Sequence, residues 1–398
     1  MKVLLSAYAC EPGKGSEPEV GLRAMLAAAT RHDVWVMTRR NNIEPLEDFL
    51  ASDPAADRIT LVGIDDDDGL ALRLKKRLGT FGTQWYYRSW QRLAAEEAQE
   101  LHRRVGFDVA HHATFASYWA PIGIARLDVP LVVGPVGGGV NPPLRLMPEL
   151  GPIGMLTDGV RLIIRTLMAR LPGALADLKA ARVVLVQNPE TLARIGHPTT
   201  GRLLSNALSV DLGRLPPAPE KRTREIITTG RLIPLKGGVT AVRALSHVSD
   251  TDARLVFVGD GPERDRIERL ADRLGLSDRV EILGWRPRDE VVARVREAGV
   301  YLHTAIHDEA SLSVAEALSQ GTPVVGYDHG GPAQVMSSWP SELWAAVPAS
   351  GPDTSARRLA AACDDFLFSP PPIPSEVLRP ARSYTDAVLD AYEEAVAR

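Results

Sequence analysis

Short apolar runs alternate with helical stretches along almost the whole chain, and this alternation restricts the fold more than any other feature. Strands are expected at Val3–Tyr8, Asp33–Thr38, Ile59–Ile64, Val109–His112, Leu131–Val136, Val183–Asn188 and Arg202–Leu208, with helices such as Glu19–Thr30 and Leu72–Arg104 between them. Strands joined by helical crossovers make a mostly parallel sheet, which binds its ligands beyond the carboxyl ends of the strands. The alternation stops at Gly213–Arg222, where Pro216, Pro217 and Pro219 can continue neither a helix nor a central strand. It resumes with strands near Glu225–Gly230, Arg254–Val258, Val280–Leu283, Val300–Thr304 and Pro323–Tyr327 and helices at Gly237–Ser246 and Glu263–Leu274. The expected fold class is therefore α/β, with two doubly wound, Rossmann-like domains facing across a cleft and a boundary between 212 and 213. After Pro370, Pro371, Pro372 and Pro374 a final helix is expected over Tyr384–Val396.

A chain of 398 residues is too long for one ordinary core, which agrees with two domains. A net charge of −4 gives no electrostatic reason to expect nucleic acid as a partner. Cys10 and Cys363 are far apart and have neither metal-ligand nor redox spacing, which fits a reducing cytoplasm. Met1-Lys2 runs straight into an apolar strand, so no signal peptide is expected, and no apolar run reaches the roughly 18 residues of a membrane span. Two segments are candidates for peripheral membrane contact or for covering an acceptor. Leu72–Arg104 sets Lys75, Lys76 and Arg77 near Trp85, Tyr86, Tyr87 and Trp90; a long helix packing its aromatic stripe on the sheet is the competing reading. Gly139–Leu171 contains the amphipathic basic run Val160–Met168.

The richest stretch for chemistry is His307–Leu318, between the apolar runs Val300–Ala305 and Pro323–Tyr327. A helix beginning inside it leaves backbone N–H groups free and carries partial positive charge. Its small entry residues Ala310 and Ser311, followed by Leu312 and Ser313, suit a diphosphate. Glu316 lies further along the helix, where its carboxylate can accept two hydrogen bonds from a ribose diol, and Asp308 and Glu309 on the loop can hold sugar hydroxyls. A solvated acidic loop is the competing reading. Arg231 at the end of the second domain's first strand and Lys236 at the start of the next helix occupy the ligand edge of the sheet, where cations can clamp phosphate oxygens. Asp65–Asp68 and Asp250-Thr251-Asp252 read as turns rather than metal sites. Gly13-x-Gly15 is only a weak phosphate signal.

Asp308, seven intervening residues and Glu316, then Ala317-Leu318, Gly321, Pro323-Val324-Val325 and Gly330-Gly331, resemble the acidic-x7-Glu signature of retaining GT-B glycosyltransferases of family four, the glycosyl transferases group 1. The resemblance extends through Gly230-Arg231-Leu232 and Lys236-Gly237, Phe257–Pro262 and Leu283-Gly284-Trp285. Two departures are visible: the first acid is Asp308 where Glu is common, and Glu309-Ala310-Ser311 stands where Gly-Phe-Gly is usual. The resemblance implies that Gly261 lets the chain approach the donor, that Trp285 and Arg286 flank the nucleotide base, and that the Gly15 and Ser16 amides close over diphosphate and sugar. Asp108–His112 is similar to the family's Asp-x-x-His stretch, which implies that His111, rather than His112, lines the cleft near the reacting carbon. Where relatives carry a second histidine this chain has Gly134–Gly139.

The resemblance implies a GT-B, metal-independent, retaining glycosyltransferase with no cofactor beyond its co-substrate, a UDP- or GDP-type sugar. The acceptor, a small molecule, a glycan or a lipid-linked molecule, is expected on the first domain (1–212), and the donor on the second (213–379), with the last helix (about 380–398) crossing back to the first. An epimerase, a phosphorylase and a non-catalytic sugar-nucleotide-binding module are the competing readings of the same two-domain plan.

Overall fold

Backbone hydrogen bonding gathers the strands into two parallel sheets. A computed structural model of the protein describes residues 1–14, 16–65, 70–115, 117–170, 175–196, 198–210 and 216–398; at 16, 70–84, 153, 164, 168 and 169 it describes the backbone alone. The first sheet contains β1 (Lys2–Ser6), β2 (Asp33–Arg39), β3 (Ile59–Ile64), β4 (Val109–His112), β5 (Leu131–Val136), β6 (Val183–Val186) and β7 (Gly201–Leu203), in the order β3-β2-β1-β4-β5-β6-β7. Its helices are α1 (Ser16–Ala29), α2 (Ile43–Leu50), α3 (Leu70–Val105), α5 (Ala176–Ala180) and α6 (Pro189–Arg194), while α4 (Gly151–Arg170) lies between β5 and α5 in sequence. The second sheet contains β8 (Glu225–Thr229), β9 (Arg254–Val258), β10 (Val280–Ile282), β11 (Val300–His303), β12 (Val324–Tyr327) and β13 (Trp344–Val347), in the order β10-β9-β8-β11-β12-β13. Its helices are α7 (Gly238–Leu245), α8 (Arg264–Arg273), α9 (Arg288–Glu297), α10 (Leu312–Ser319), α11 (Gly330–Met336) and α12 (Pro352–Phe368), and α13 (Tyr384–Ala397) ends the chain.

Every strand pair is parallel, and the strand order in each sheet reverses at one place, between β1 and β4 and between β8 and β11. Crossovers leave to opposite faces there, which opens a crevice beyond the strand ends. β4 and β11 are buried along their whole length, as central strands covered on both faces must be.

The chain divides into two compact units, one of Met1–Gly139, Arg165–Ser209 and Ser383–Arg398, the other of Val140–Ile164 and Val210–Arg382. The last helix is thus part of the first unit. Tyr384, Ala387, Val388, Ala391, Tyr392 and Ala395 repeat at helical spacing and lie in that unit's core against α1. Ser383 caps α13 by accepting from the Asp386 amide at 3.0 Å, a cap of the kind that contributes about 1 kcal/mol. Residues 140–164, placed before the 212/213 boundary by sequence, group instead with the second unit. There Leu146 and Leu150 enter the core, and Glu149 accepts from Thr240 Oγ1 at 3.2 Å.

On α3, Tyr86, Tyr87 and Trp90 are buried against the first sheet and Trp90 Nε1 donates to the Ile64 carbonyl at 3.1 Å, so the aromatic stripe is core. The side chains of Lys75, Lys76 and Arg77 lie outside the described residues, as do Asp66–Asp68. Asp250-Thr251-Asp252 is a turn: the Asp252 amide donates to Asp250 Oδ1 at 3.0 Å, and Arg224 pairs with Asp250 Oδ2. Among the described residues, no helix is long and apolar enough to cross a membrane.

Candidate functional site

The second unit's crevice is built by the two segments that leave β8 and β11. After β8, Gly230 and Gly237 adopt positive φ, and a Cβ on Gly237 would lie 2.0 Å from the Thr304 carbonyl oxygen, so only glycine fits. Thr304 Oγ1 donates to the Gly237 carbonyl at 2.9 Å and the Lys236 carbonyl at 3.2 Å, which pins Lys236 beside the end of β11. The Lys236 ammonium donates to Asp308 Oδ2 at 2.6 Å, and His303 Nε2 lies 3.4 Å from the same oxygen. Asp308 Oδ1 accepts from the Ser311 amide at 3.2 Å.

Burial opposes the Asp308 charge, but the His303 and Lys236 contacts outweigh it and hold the carboxyl well below the usual carboxylate range. Both Asp308 oxygens are thereby engaged, and the residue organises the loop around Lys236 and the start of α10. Burial pushes the His303 pKa down, against the raising effect of Asp308. His303, Thr304 and Tyr301 carry no motif signal in the sequence; a polar residue at the last positions of a buried strand is the one hint they leave.

Ser311 caps α10 with φ +58°, a left-handed conformation glycine takes more readily. That backbone geometry explains why the resemblance expects glycine here. Leu312 and Ser313 open the helix half-buried, and Ser313 hydrogen-bonds to Tyr301, whose hydroxyl also lies 3.0 Å from Thr229 Oγ1. Glu316, one turn on, is half-buried and pairs with Arg288 Nη2 at 2.8 Å. Burial raises its pKa and Arg288 partly offsets the rise.

Glu309 turns elsewhere. Its Oε1 accepts from the Val140 amide at 3.2 Å and lies 3.4 Å from His307 Nε2, while Arg161 Nη2 approaches His307 Nδ1 at 2.7 Å. Arg231 is exposed, and its guanidinium makes no ion pair among the described residues. Arg231 and Lys236 line one small hollow with Thr229, Gly230 and Phe257. Trp285 is 77% exposed, and the neighbouring Arg286 is exposed as well. A Cβ on Gly261 would meet the Leu232 carbonyl oxygen at 2.3 Å, so close packing within the protein already accounts for that glycine.

The first unit's crevice is arranged differently. His111 is fully buried, with Nδ1 2.8 Å from the Tyr392 hydroxyl and Nε2 2.9 Å from the Gly134 carbonyl oxygen. His112 is also fully buried and points to the other face, its Nε2 3.2 Å from the Tyr87 hydroxyl and its Nδ1 3.4 Å from Ser6 Oγ. Burial depresses both, His111 to about 4 and His112 to about 3. His111, expected to line the cleft near the reacting carbon, thus has both ring nitrogens engaged inside the first unit. Gly15 lies outside the described residues and Ser16 begins α1. The adjacent Glu17 accepts from the Phe115 amide, and burial raises its pKa.

Two parallel Rossmann-like sheets, with Arg231 and Lys236 at the strand-end edge of the second, make up a GT-B fold, which the solved structures below share. Residues 216–366 match the family described as glycosyl transferases group 1. A curated relative, 2-deoxystreptamine glucosyltransferase of Streptomyces kanamyceticus, is 34% identical over 157 residues, which is 39% of each chain. The chain thus matches well under half the length of this relative. Two solved structures share the fold over nearly the full chain. The lipopolysaccharide outer core galactosyltransferase WaaB in its apo form has a TM-score of 0.58 at 11% identity, with 99% of this chain and 95% of that one covered. Anabaena Alr3699/HepE in complex with UDP has a TM-score of 0.54 at 15% identity, with both chains fully covered.

Proposed function

We propose that this protein transfers a glycosyl unit from a nucleoside-diphosphate sugar to an acceptor hydroxyl, with retention at the anomeric carbon and without a divalent metal. The observation that carries the reading is the convergence of Arg231, Lys236 and the start of α10 at the one edge where β8 and β11 diverge. Cations and helix-start amides offer fixed positive charge to a departing diphosphate. A diphosphate entering there competes with Asp308 for the Lys236 ammonium and takes Arg231 as its second cation. Glu316 holds the ribose diol, Arg288 favours the charged form of its carboxylate against the effect of burial, and the exposed Trp285 with Arg286 borders the base. Asp308 positions Lys236, and Asp308 or Glu309 orients the sugar.

In the transfer, the bond from the anomeric carbon to the β-phosphate oxygen breaks and a bond to the acceptor oxygen forms. The acceptor proton passes to the departing phosphate on the same face, since among the described residues of the second unit's edge no carboxylate stands out as a nucleophile. A UDP- or GDP-type hexose is the donor. The complex of HepE with UDP and the glucosyltransferase name of the Streptomyces relative support that choice. The acceptor is a small molecule, a glycan or a lipid-linked sugar, and the reaction belongs to the cytoplasm.

The test is a panel of sugar nucleotides incubated with the purified chain in EDTA, scoring nucleoside diphosphate release with and without acceptors. Acceptor-dependent release from one donor in chelator is expected. Activity that EDTA abolishes and manganese restores would overturn the metal-free reading, and release of no diphosphate from any donor would overturn the whole.

A further inference from the structure

The helix α4 is amphipathic in the reverse sense for an element packed on a water-soluble unit. Within the second unit's share of it, Gly154 and Asp158 are buried, whereas Leu156, Val160 and Ile163 are 69%, 47% and 60% exposed. Steps of four and three residues set these three in one stripe. Leu144, 82% exposed at the start of the 3-10 helix before α4, is a further outward apolar residue of this segment. Single exposed apolar residues are ordinary, but a helical row of them is not.

The helix is held in this orientation by its polar side. Asp158 Oδ1 lies 3.8 Å from Arg161 Nη1 and 3.9 Å from His307 Nδ1, and Arg161 reaches the same imidazole. Rotating the helix to bury its leucines would break these contacts with the loop that carries Asp308 and Glu309. The exposure is therefore built in.

Charge identifies the occupant. From Val140 to Arg170 the only acids are Glu149 and Asp158, and both are buried, Glu149 lying 3.4 Å from Arg243. Arg145 and Arg170 are exposed, while the guanidinium of the partly exposed Arg161 is engaged by Asp158 and His307. In a chain of net charge −4, this segment turns apolar groups and guanidiniums outward and no carboxylate. A second copy docking on the same stripe would set arginine against arginine. We propose that the outward face of α4 and the loop before it binds an anionic lipid bilayer, with the leucine and isoleucine side chains at the acyl boundary and the arginines among the headgroups. This goes beyond the sugar-transfer reading and stands independently of it.

The full chain is sedimented with vesicles of phosphatidylcholine alone and with about one-third phosphatidylglycerol. Recovery in the pellet is expected with the anionic vesicles only, falling several-fold as salt rises from about 0.1 M to about 0.5 M. The double variant Leu156→Glu/Ile163→Glu, at exposed positions, is expected to keep the wild-type melting curve and to bind about tenfold or more weakly. Arg145→Glu, exposed and clear of the core, is expected to weaken binding about fivefold and serves if the double variant misfolds. Equal recovery with neutral vesicles, anionic vesicles and none would overturn the proposal, as would unchanged binding by both variants. A wild-type dimer that becomes monomeric in the double variant would overturn it too, by assigning the stripe to a second copy.

Discussion

The two sheets reverse strand order in the same way, yet the two reversal points have opposite contents. Beyond β1 and β4, His111 and His112 are enclosed by Tyr392, Gly134, Tyr87 and Ser6. Beyond β8 and β11, Arg231 stays exposed and Lys236 is held by a single carboxylate that an anion can displace. Topology alone therefore does not make a ligand site. The proposed site lies where polar groups are left with charge to offer, and not where they are matched internally.

The largest effect expected from breaking this contrast is at Lys236. Lys236→Ala should lower kcat/KM by about a thousandfold through loss of a phosphate cation, and Arg231→Ala by about tenfold to a hundredfold. Steady-state rates on the donor found by screening check both, and wild-type rates in either remove that residue from the site. His111→Ala should act in the opposite way, costing about 2–4 kcal/mol of stability in the first unit while the folded fraction keeps its turnover. Denaturant melts combined with kcat measure it. An unchanged midpoint with a rate loss above about tenfold would return His111 to the chemistry.

Acid should then separate the units. An unfolded chain protonates histidine near 6.5, whereas folded His111 and His112 do so near 4 and 3. Below about pH 6.5 the unfolded state binds more protons, so stability is full above that pH and falls on the way down to about 3. In the second unit His303 is depressed the same way, but Asp308, held below the usual carboxylate range, keeps its contribution until lower pH. Hydrogen exchange at pH 5 should show β4 and β5 losing protection before β8 and β11; simultaneous loss would erase the contrast. The smallest effect is expected from Arg288→Ala, which removes a partner of Glu316 that is itself exposed; donor KM should rise only about threefold.

Much of the fold is legible in residue order. Strands at 59–64, 109–112, 131–136 and 254–258 coincide with β3, β4, β5 and β9, because buried parallel strands are short apolar runs with turn residues at both ends. β13 is not expected from sequence, since its Trp344-Ala345-Ala346-Val347 has little β-branched character and is only half-buried at the sheet edge. The transfer of 140–164 to the second unit is hidden because the prolines of 216–219 signal a break in the chain, not which contacts an earlier segment makes. At the site, motif spacing brings Lys236, Asp308 and Ser311 together. It does not reveal that Asp308 is held by Lys236, His303 and the Ser311 amide, because His303 lies in an apolar run and a side-chain-to-amide bond leaves no trace in composition.

The Tyr392 hydroxyl that completes His111 comes from 281 residues further along the chain. On a ribosome, the sheet that is translated first must wait for α13, an interval on the order of tens of seconds, before its central histidine finds that partner. The second unit, whose last residue is Arg382, has by then been made in full. Of the two units, the one translated earlier is therefore the later to be sealed.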